Sequence, residues 1–382
     1  MPQVSVSGHT MADKKDGAGG RRRAQTGLSR GKPLYAAVDL GTNNCRLLVA
    51  EPRGQSFRVV DSHSQIARLG EGLHESGRLS DAAIERAMSA LHAIRMKLKQ
   101  HGVGRVRCIA TEACRKASNG ADFIRRVQTE TGLTFKVIGA REEARLATIG
   151  CYDLIGPDVQ SVLVVDVGGG STELSLVDAR QIRKVGLSGI LREAPILDWT
   201  SLKVGVVTLS ETFDLSDEAA AWPLMLERAR AAVRGWPALD RVRQRLASDG
   251  GHLIGTSGTV TCLAGVHLNL DRYRRDKVDG SWLSRQDGRE TMQRLRDLGV
   301  AGRAKLPTIG EERAPLMLAG CAIMEAVWEA FDAHKLRVAD RGLREGVLLS
   351  MMHGQKAPRR RRPKRRKPEG SGGGGDAHVG RG

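Results

Sequence analysis

The chain has 382 residues, enough for one large core or two domains of ordinary size, and a formal charge of +18. Most of that excess sits at the ends: residues 1–33 carry a net +5 and residues 354–382 a net +8, leaving +5 for the body. The six cysteines show neither a C-x-x-C nor paired-His spacing, which argues against a zinc site or a disulfide framework.

Both tails lack apolar periodicity and read as disordered. The run PRRRRPKRRKPEGSGGGG holds prolines, like charges and glycines that cannot build a core. It is either a solvated tail or a footprint for a polyanion such as RNA, DNA or long polyphosphate, and without aromatics its contacts would be to phosphate rather than base. Met11 offers an alternative start. No N-terminal apolar segment suggests a signal peptide, and the apolar run Leu316 to Met324 is too short to span a bilayer. A soluble cytoplasmic protein is the expectation.

In chain order, the first informative unit is Val38-Asp39-Leu40-Gly41-Thr42-Asn43-Asn44 followed by Leu47, Leu48 and Val49, a strand–turn–strand. Phe57 to Asp61 continues the meander. Ser80 is a good N-cap for a helix with Ile84, Met88, Leu91 and Leu98 on one face. Val106, Cys108 and Ala110 alternate as a strand, which places Arg115 beyond its carboxyl end, where ligands bind in open α/β sheets; a plain surface charge is the blander reading. Phe135 and Val137 mark another strand. Arg141-Glu142-Glu143-Ala144-Arg145 then opens a helix expected to carry Leu146, Ile149 and Leu154. Adjacent glutamates point about 100° apart on a helix, so only one can face a given cleft.

The organising stretch is VLVVDVGGGSTELSLV, Val162 to Val177. A continuous apolar arm reads as a strand covered on both faces, and the second arm alternates. Gly168, Gly169 and Gly170 remove every Cβ from the turn, so that backbone N–H groups can approach an anion. Asp166 and Glu173 offer oxygens to a hard cation such as Mg²⁺ or another divalent ion. An ordinary Gly-rich hairpin with solvated acids is the alternative. The second copy weighs against it: Asp39 matches Asp166, Gly41 matches Gly168, Leu47 matches Leu174 and Val49 matches Leu176, all at one offset. A duplicated phosphate clamp, two amide-lined turns closing on one polyphosphate, is the better reading. Asp39 would then be the first half's acid beside the cation.

Further on, Ser201 to Val207 reads as strand-like, turning at Gly205 into Thr208-Leu209-Ser210-Glu211, and residues 216–248 as an exposed pair of charged helices. Leu253 to Thr259 is a third strand–turn unit, in which Gly255, Ser257 and Gly258 either form an ordinary loop or add an anion contact at a helix N-terminus. Helices fill 288–298 and 313–333, and Leu336, Val338 and Ala339 form a last strand before a closing helix.

Seven stretches together resemble the Ppx/GppA family of exopolyphosphatases and guanosine pentaphosphate phosphohydrolases, over roughly residues 34–353. They are AAVDLGTNNCRLLVA, IATEACRKASN, IGAREEARL, VVDVGGGSTEL, SLKVGVVTLSE, IGTSGTVTCLAG and DRGLREGVL, in the family's order. The resemblance is to short members found in alphaproteobacteria. It implies an α/β fold of two duplicated ribonuclease-H-like domains of the actin-like ATPase superfamily, spanning 34–156 and 157–353, with a cleft between them; the closing helix can pack back on the first. It implies that Glu143 activates water, and that Asp166 and Glu173 hold Mg²⁺ or the attacking water. Gly41, Thr42, Asn43, Asn44 and Cys45, with Gly168, Gly169, Gly170, Ser171 and Thr172, would cradle phosphates, and Arg115 would neutralise charge. The family usually has Ser where this chain has Asn44, and the nearby Arg46 is itself suited to phosphate.

The expected substrates are inorganic polyphosphate and pppGpp. Long members carry extra C-terminal helical domains that grip long chains; here only the basic tail follows, so short chains or pppGpp are the better expectation. Two readings compete: an ATP-dependent kinase or ATPase of the same fold, and a polyphosphate- or RNA-binding scaffold acting through the tails. A homodimer is left open.

Overall fold

The computed structural model describes residues 33–354. But for Pro33 and Gly354, the two basic tails lie outside them.

The first sheet is built from β1 (Tyr35–Leu40), β2 (Asn44–Arg53), β3 (Ser56–Ile66), β4 (Arg105–Ala110) and β5 (Phe135–Val137). The second contains β6 (Ser161–Val167), β7 (Thr172–Asp178), β8 (Ile196–Leu202), β9 (His252–Thr256), β10 (Trp282–Ser284) and β11 (Lys335–Ala339). The spatial orders are β3-β2-β1-β4-β5 and β10-β11-β9-β6-β7-β8. Setting aside β10, which pairs antiparallel at the edge, the two orders are the same plan read twice. In each, an antiparallel hairpin is followed by a parallel strand on its other side. The duplication read from one offset is therefore a duplication of topology, one sheet plan built twice.

Local signals explain most elements. Ser80 accepts from the Ala83 amide at the start of the helix Asp81–Gln100, whose Ile84, Met88, Leu91 and Leu98 are buried. β6 is buried along nearly its whole length because helices cover both sides of its sheet.

Five expectations need correction. Val106 is exposed whereas Cys108, Ile109 and Ala110 are all buried, because β4 is covered on both faces only at its carboxyl end. Leu154 lies beyond the helix Ala140–Gly150, in a short 3₁₀ turn. The strand expected over Ser201 to Val207 stops at Leu202, and Val206 opens the helix Val206–Thr212, since Gly205 is packed against Gly169 and ends the run. The helices Glu218–Arg234 and Leu239–Ser248 are charged outside but bury Met225, Leu226, Val233, Val242 and Leu246 in the second core. Finally, the apolar run extends beyond Met324: Ala314–Phe331 gives 18 residues of mean hydropathy 1.4, enough by length and composition to cross a membrane. That helix is 72% buried, and Trp328 and Val327 are wholly enclosed, which is the pattern of a core helix.

The closing helix Leu343–His353 leaves the second sheet and packs on β1 and on the helix Ala140–Gly150. Val347 and Leu348 join Tyr35, Ala37, Leu48 and Leu146 in one core. The crossing is backbone-close. A Cβ at Gly150 would stand 1.9 Å from the Gly342 carbonyl oxygen, and one at Gly346 2.0 Å from that of Leu146. Only glycine permits this approach.

Candidate active site

The two hairpins carry the site. In each, the amide of the first turn glycine donates to the carbonyl three residues on: Gly41 to Asn44 and Gly168 to Ser171, both at 2.9 Å. Pairing register then aligns a polar row across each sheet, Asp39–Arg46–Ser64 in the first and Asp166–Glu173–Ser201 in the second. The rows face a cleft of about 630 Å³.

The turns meet each other. A Cβ on Gly169 would stand 3.0 Å from Thr42 Cβ, and one on Gly170 3.0 Å from Thr42 Oγ1 and 3.1 Å from Glu112 Cγ. Gly169 and Gly170 are thus tight against the opposite turn, while a Cβ on Gly168 would stand 2.8 Å from the Ser171 carbonyl oxygen of its own turn. Gly168, Gly169, Gly170 and Ser171 line the cleft, as do Gly41, Thr42, Asn43 and Asn44. The side-chain oxygens of Asn43 and Asn44 are buried without a hydrogen-bond partner.

Glu143 enters from the first turn of the helix Ala140–Gly150 and lines the same cleft. Its neighbour Glu142 turns away to Arg145, which holds both its oxygens at 2.7 and 2.9 Å. Glu143 Oε2 has no hydrogen bond; Arg115 Nη1 stands 3.5 Å away. Burial pushes the Glu143 carboxyl well above the usual range, and the charges of Glu173 and Asp166 push it further, against the pull of Arg115. Burial raises Asp166 to about 6, with Arg46 opposing. Burial and then Asp166 raise Glu173 to about 7, although the hydroxyls of Ser171 and Ser201 both donate to it at 2.7 Å. Asp39 is raised as well, by burial, while Arg46 and Arg344 oppose, and its Oδ1 is unpartnered. Four carboxyl groups, each raised chiefly by burial, therefore line one cleft.

Facing them is a basic wall. Arg46 reaches across to the third turn, where a Cβ on Gly258 would stand 3.9 Å from its Nη2. It shares that region with Arg313 and Arg344 as like-charged neighbours. Ser257 adds a buried, unpartnered hydroxyl, and its backbone is held at φ +107°, a conformation that costs free energy for a residue with a side chain. It immediately precedes the ten-residue helix Gly258–His267, whose N-terminal amides point at the same space.

Several residues expected at the site lie elsewhere. Cys45 is fully buried in the first core, and the Thr172 hydroxyl donates to the Val204 carbonyl at 2.7 Å. Gly255 sits within β9, against Leu336 and Val260. Arg115 is behind Glu143 rather than on the cleft wall, donating to the Ile138 carbonyl at 2.5 Å and to Glu112 at 3.2 Å. Glu112, Arg313 and Arg344 line or support the cleft but carried no assigned role. Arg344 had a signal, since it follows the strand–loop DRG at a helix start; Arg313 had none.

With this geometry in place, the comparisons with known proteins are direct. Residues 48–355 match the model of the Ppx/GppA phosphatase family. An Aquifex aeolicus Ppx/GppA family member is similar at 28% identity and a TM-score of 0.66, over 84% of this chain and 97% of that one. A structure described as the Aquifex aeolicus PPX-GPPA enzyme is 29% identical, with a TM-score of 0.63, over 83% and 99%. An exopolyphosphatase from Cytophaga hutchinsonii shares the fold at 23% identity and a TM-score of 0.73, over 85% and 99%. The chain belongs to the Ppx/GppA phosphatase family.

Proposed function

We propose that this phosphatase cleaves the terminal phosphoanhydride of inorganic polyphosphate or pppGpp, with Glu143 as the base. The observation that carries this is the placement of Glu143: a buried carboxylate oxygen with no hydrogen-bond partner and Arg115 3.5 Å away, made more basic by burial and by Glu173 and Asp166, in the cleft where the two Asp-x-Gly turns meet.

The terminal phosphoryl group lies against the amides of Gly41 to Asn44 and Gly168 to Ser171. The rest of the anion runs toward Arg46, Arg313, Arg344 and the Ser257–Gly258 helix start, which meet its negative charge. A water between Glu143 and the terminal phosphorus gives its proton to the carboxylate as its oxygen forms the new P–O bond. The anhydride P–O bond breaks, and the electron pair stays with the shortened chain. The products are orthophosphate and a chain one unit shorter, or ppGpp.

A divalent cation fits the same cleft. Among the described residues no three acidic, His or Cys side chains form a complete metal centre. Mg²⁺ is typically held by one or two carboxylates, with waters and phosphate oxygens completing its shell. The unpartnered buried Oδ1 of Asp39, with Asp166 close enough for the two charges to act on each other, is a donor pair of that kind. When bound, such an ion supplies Lewis-acid neutralisation of the phosphate oxygens.

The test is orthophosphate release from polyphosphate and pppGpp by the wild-type chain and by Glu143→Gln. The variant is expected to bind both substrates and turn them over about 10²- to 10⁴-fold more slowly. A loss below about threefold would assign the base to another group.

A further inference from the structure

Arg303 is the only lysine or arginine among the described residues that is fully buried. It does not line the cleft, yet every nitrogen of its guanidinium is engaged. Nε donates to the Ala314 carbonyl at 3.0 Å. Nη1 donates to the Leu295 carbonyl at 3.1 Å and to Glu218 Oε2 at 2.8 Å, and Nη2 donates to Glu218 Oε1. The two-pronged pair with Glu218 offsets the cost of burying the charge. One side chain thereby joins the start of the helix Glu218–Arg234 and the end of the helix Arg285–Asp297 to the backbone at residue 314.

Between residues 303 and 314 the chain reaches the cleft, which Pro307, Thr308, Ile309 and Arg313 line. One part of this loop is fastened to the helix Gly258–His267: Cys262 Sγ donates to the Thr308 carbonyl at 3.3 Å, and a Cβ on Gly265 would stand 2.9 Å from Thr308 Cβ. Arg303 fastens the other end, closing eleven positions by gripping the backbone one residue after Arg313. Arg313 forms no ion pair with any described residue, and its Nη1 donates to Cys262 Sγ at 3.8 Å. A cation with no carboxylate to orient it is aimed mainly by its own backbone. Here that backbone is tied to Arg303.

We infer that Arg303, locked by Glu218, is a positioning residue for phosphate binding: it fixes the end of the loop so that Arg313 stands in the cleft. The inference rests on the proposed reading of the arginine wall as the seat of the phosphate chain. It adds a residue that acts on that wall without touching the anion. A lysine at 303 keeps the charge but lacks the planar fork that serves Ala314, Leu295 and Glu218 together. Loss of the grip on the Ala314 carbonyl frees the loop end, and Arg313 moves with it.

The experiment is calorimetric binding of inorganic tripolyphosphate, in EDTA, to the wild-type chain, Arg303→Lys, Glu218→Gln, Arg313→Gln and the double variant Glu218→Gln/Arg313→Gln. Hydrolysis is measured alongside as kcat and KM. Binding is read without turnover, so a failure of hydrolysis is distinguished from a failure of this inference. Arg313→Gln is expected to raise Kd about 10- to 100-fold, the range of one charge-assisted hydrogen bond. Arg303→Lys and Glu218→Gln are expected to raise Kd and KM about 3- to 30-fold, a part of that loss, with kcat within about threefold of wild type. The double variant is expected to bind within about twofold of Arg313→Gln, because a side chain already removed cannot be displaced. Loss of folded protein alone lowers the binding stoichiometry and kcat and leaves Kd in place. Glu218→Gln alters the partly exposed side of the pair, so it reads the effect even where Arg303→Lys fails to fold. An unchanged Kd in the folded single variants at Arg303 and Glu218, losses that add in the double variant, Arg313→Gln binding like the wild type, or no tripolyphosphate binding by the wild type would each overturn the inference.

Discussion

Arg46 and Glu173 occupy equivalent positions in the two hairpins, opposite Asp39 and Asp166 respectively, and carry opposite charges. The duplicated frame has thus diverged at one row. The first half presents a guanidinium to the cleft, while the second adds a carboxylate to another carboxylate. One side is suited to phosphate and the other to a cation or a polarised water.

Removing that guanidinium separates the two roles. Arg46→Gln is expected to raise Kd for tripolyphosphate about 10- to 100-fold, as a charge-assisted hydrogen bond is lost. Because Arg46 also opposes protonation of Asp166 and Asp39, both carboxyl groups should titrate higher in the variant. Calorimetry and carboxyl titration by NMR check the two parts separately. An unchanged affinity would place the phosphates elsewhere.

Arg115 acts on Glu143 from behind, and its removal predicts a direction. It lowers the Glu143 pKa against burial and the neighbouring carboxylates, so Arg115→Met should raise it. The acidic limb of the kcat/KM profile would then move to higher pH, with KM changed less than kcat/KM at pH 6. A large KM effect with no movement of the limb would make Arg115 a substrate ligand instead. Glu142→Gln should leave the profile in place, since Glu142 is bonded to Arg145 outside the cleft.

The raised acids make stability depend on pH in an unusual sense. Asp166 titrates near 6 and Glu173 near 7 in the folded chain, against ordinary values of 3.8 and 4.5. The folded state therefore holds more protons than the unfolded one between about pH 4 and 7. Their contribution is fully present below the ordinary values and is lost as pH rises through 6 to 7. Melting temperature in EDTA should fall over that interval. Millimolar Mg²⁺ should restore it increasingly toward pH 7, because a cation binds the ionised carboxylates. A melting temperature independent of both pH and Mg²⁺ would contradict the burial of these groups.

The Gly150–Gly346 crossing carries the closing helix. Gly346→Ala places a Cβ about where the Leu146 carbonyl stands, so the helices must separate. Overpacking of this kind typically costs about 1–3 kcal/mol, occasionally more. Denaturant melts of this variant against Gly104→Ala, where a Cβ meets nothing within 4 Å, measure it. Equal stability would mean that the crossing tolerates a wider approach.

Much of the architecture was legible in residues alone, for a physical reason. Strand, turn and cap signals are local, and the offset relating Asp39 to Asp166 survives any arrangement of the rest of the chain. Local signals also carried the geometry that only one of Glu142 and Glu143 can face a cleft. Which of them does so depends on how the helix Ala140–Gly150 lies against the closing helix, a contact between residues nearly 200 positions apart. Tertiary packing likewise joined Arg46 with Arg313 and Arg344, set Arg115 behind Glu143, sent Cys45 and Thr172 away from the cleft, and pressed the glycine turn against Thr42. Charge, burial and close approach are properties of what a residue faces, and neighbours in sequence do not determine them.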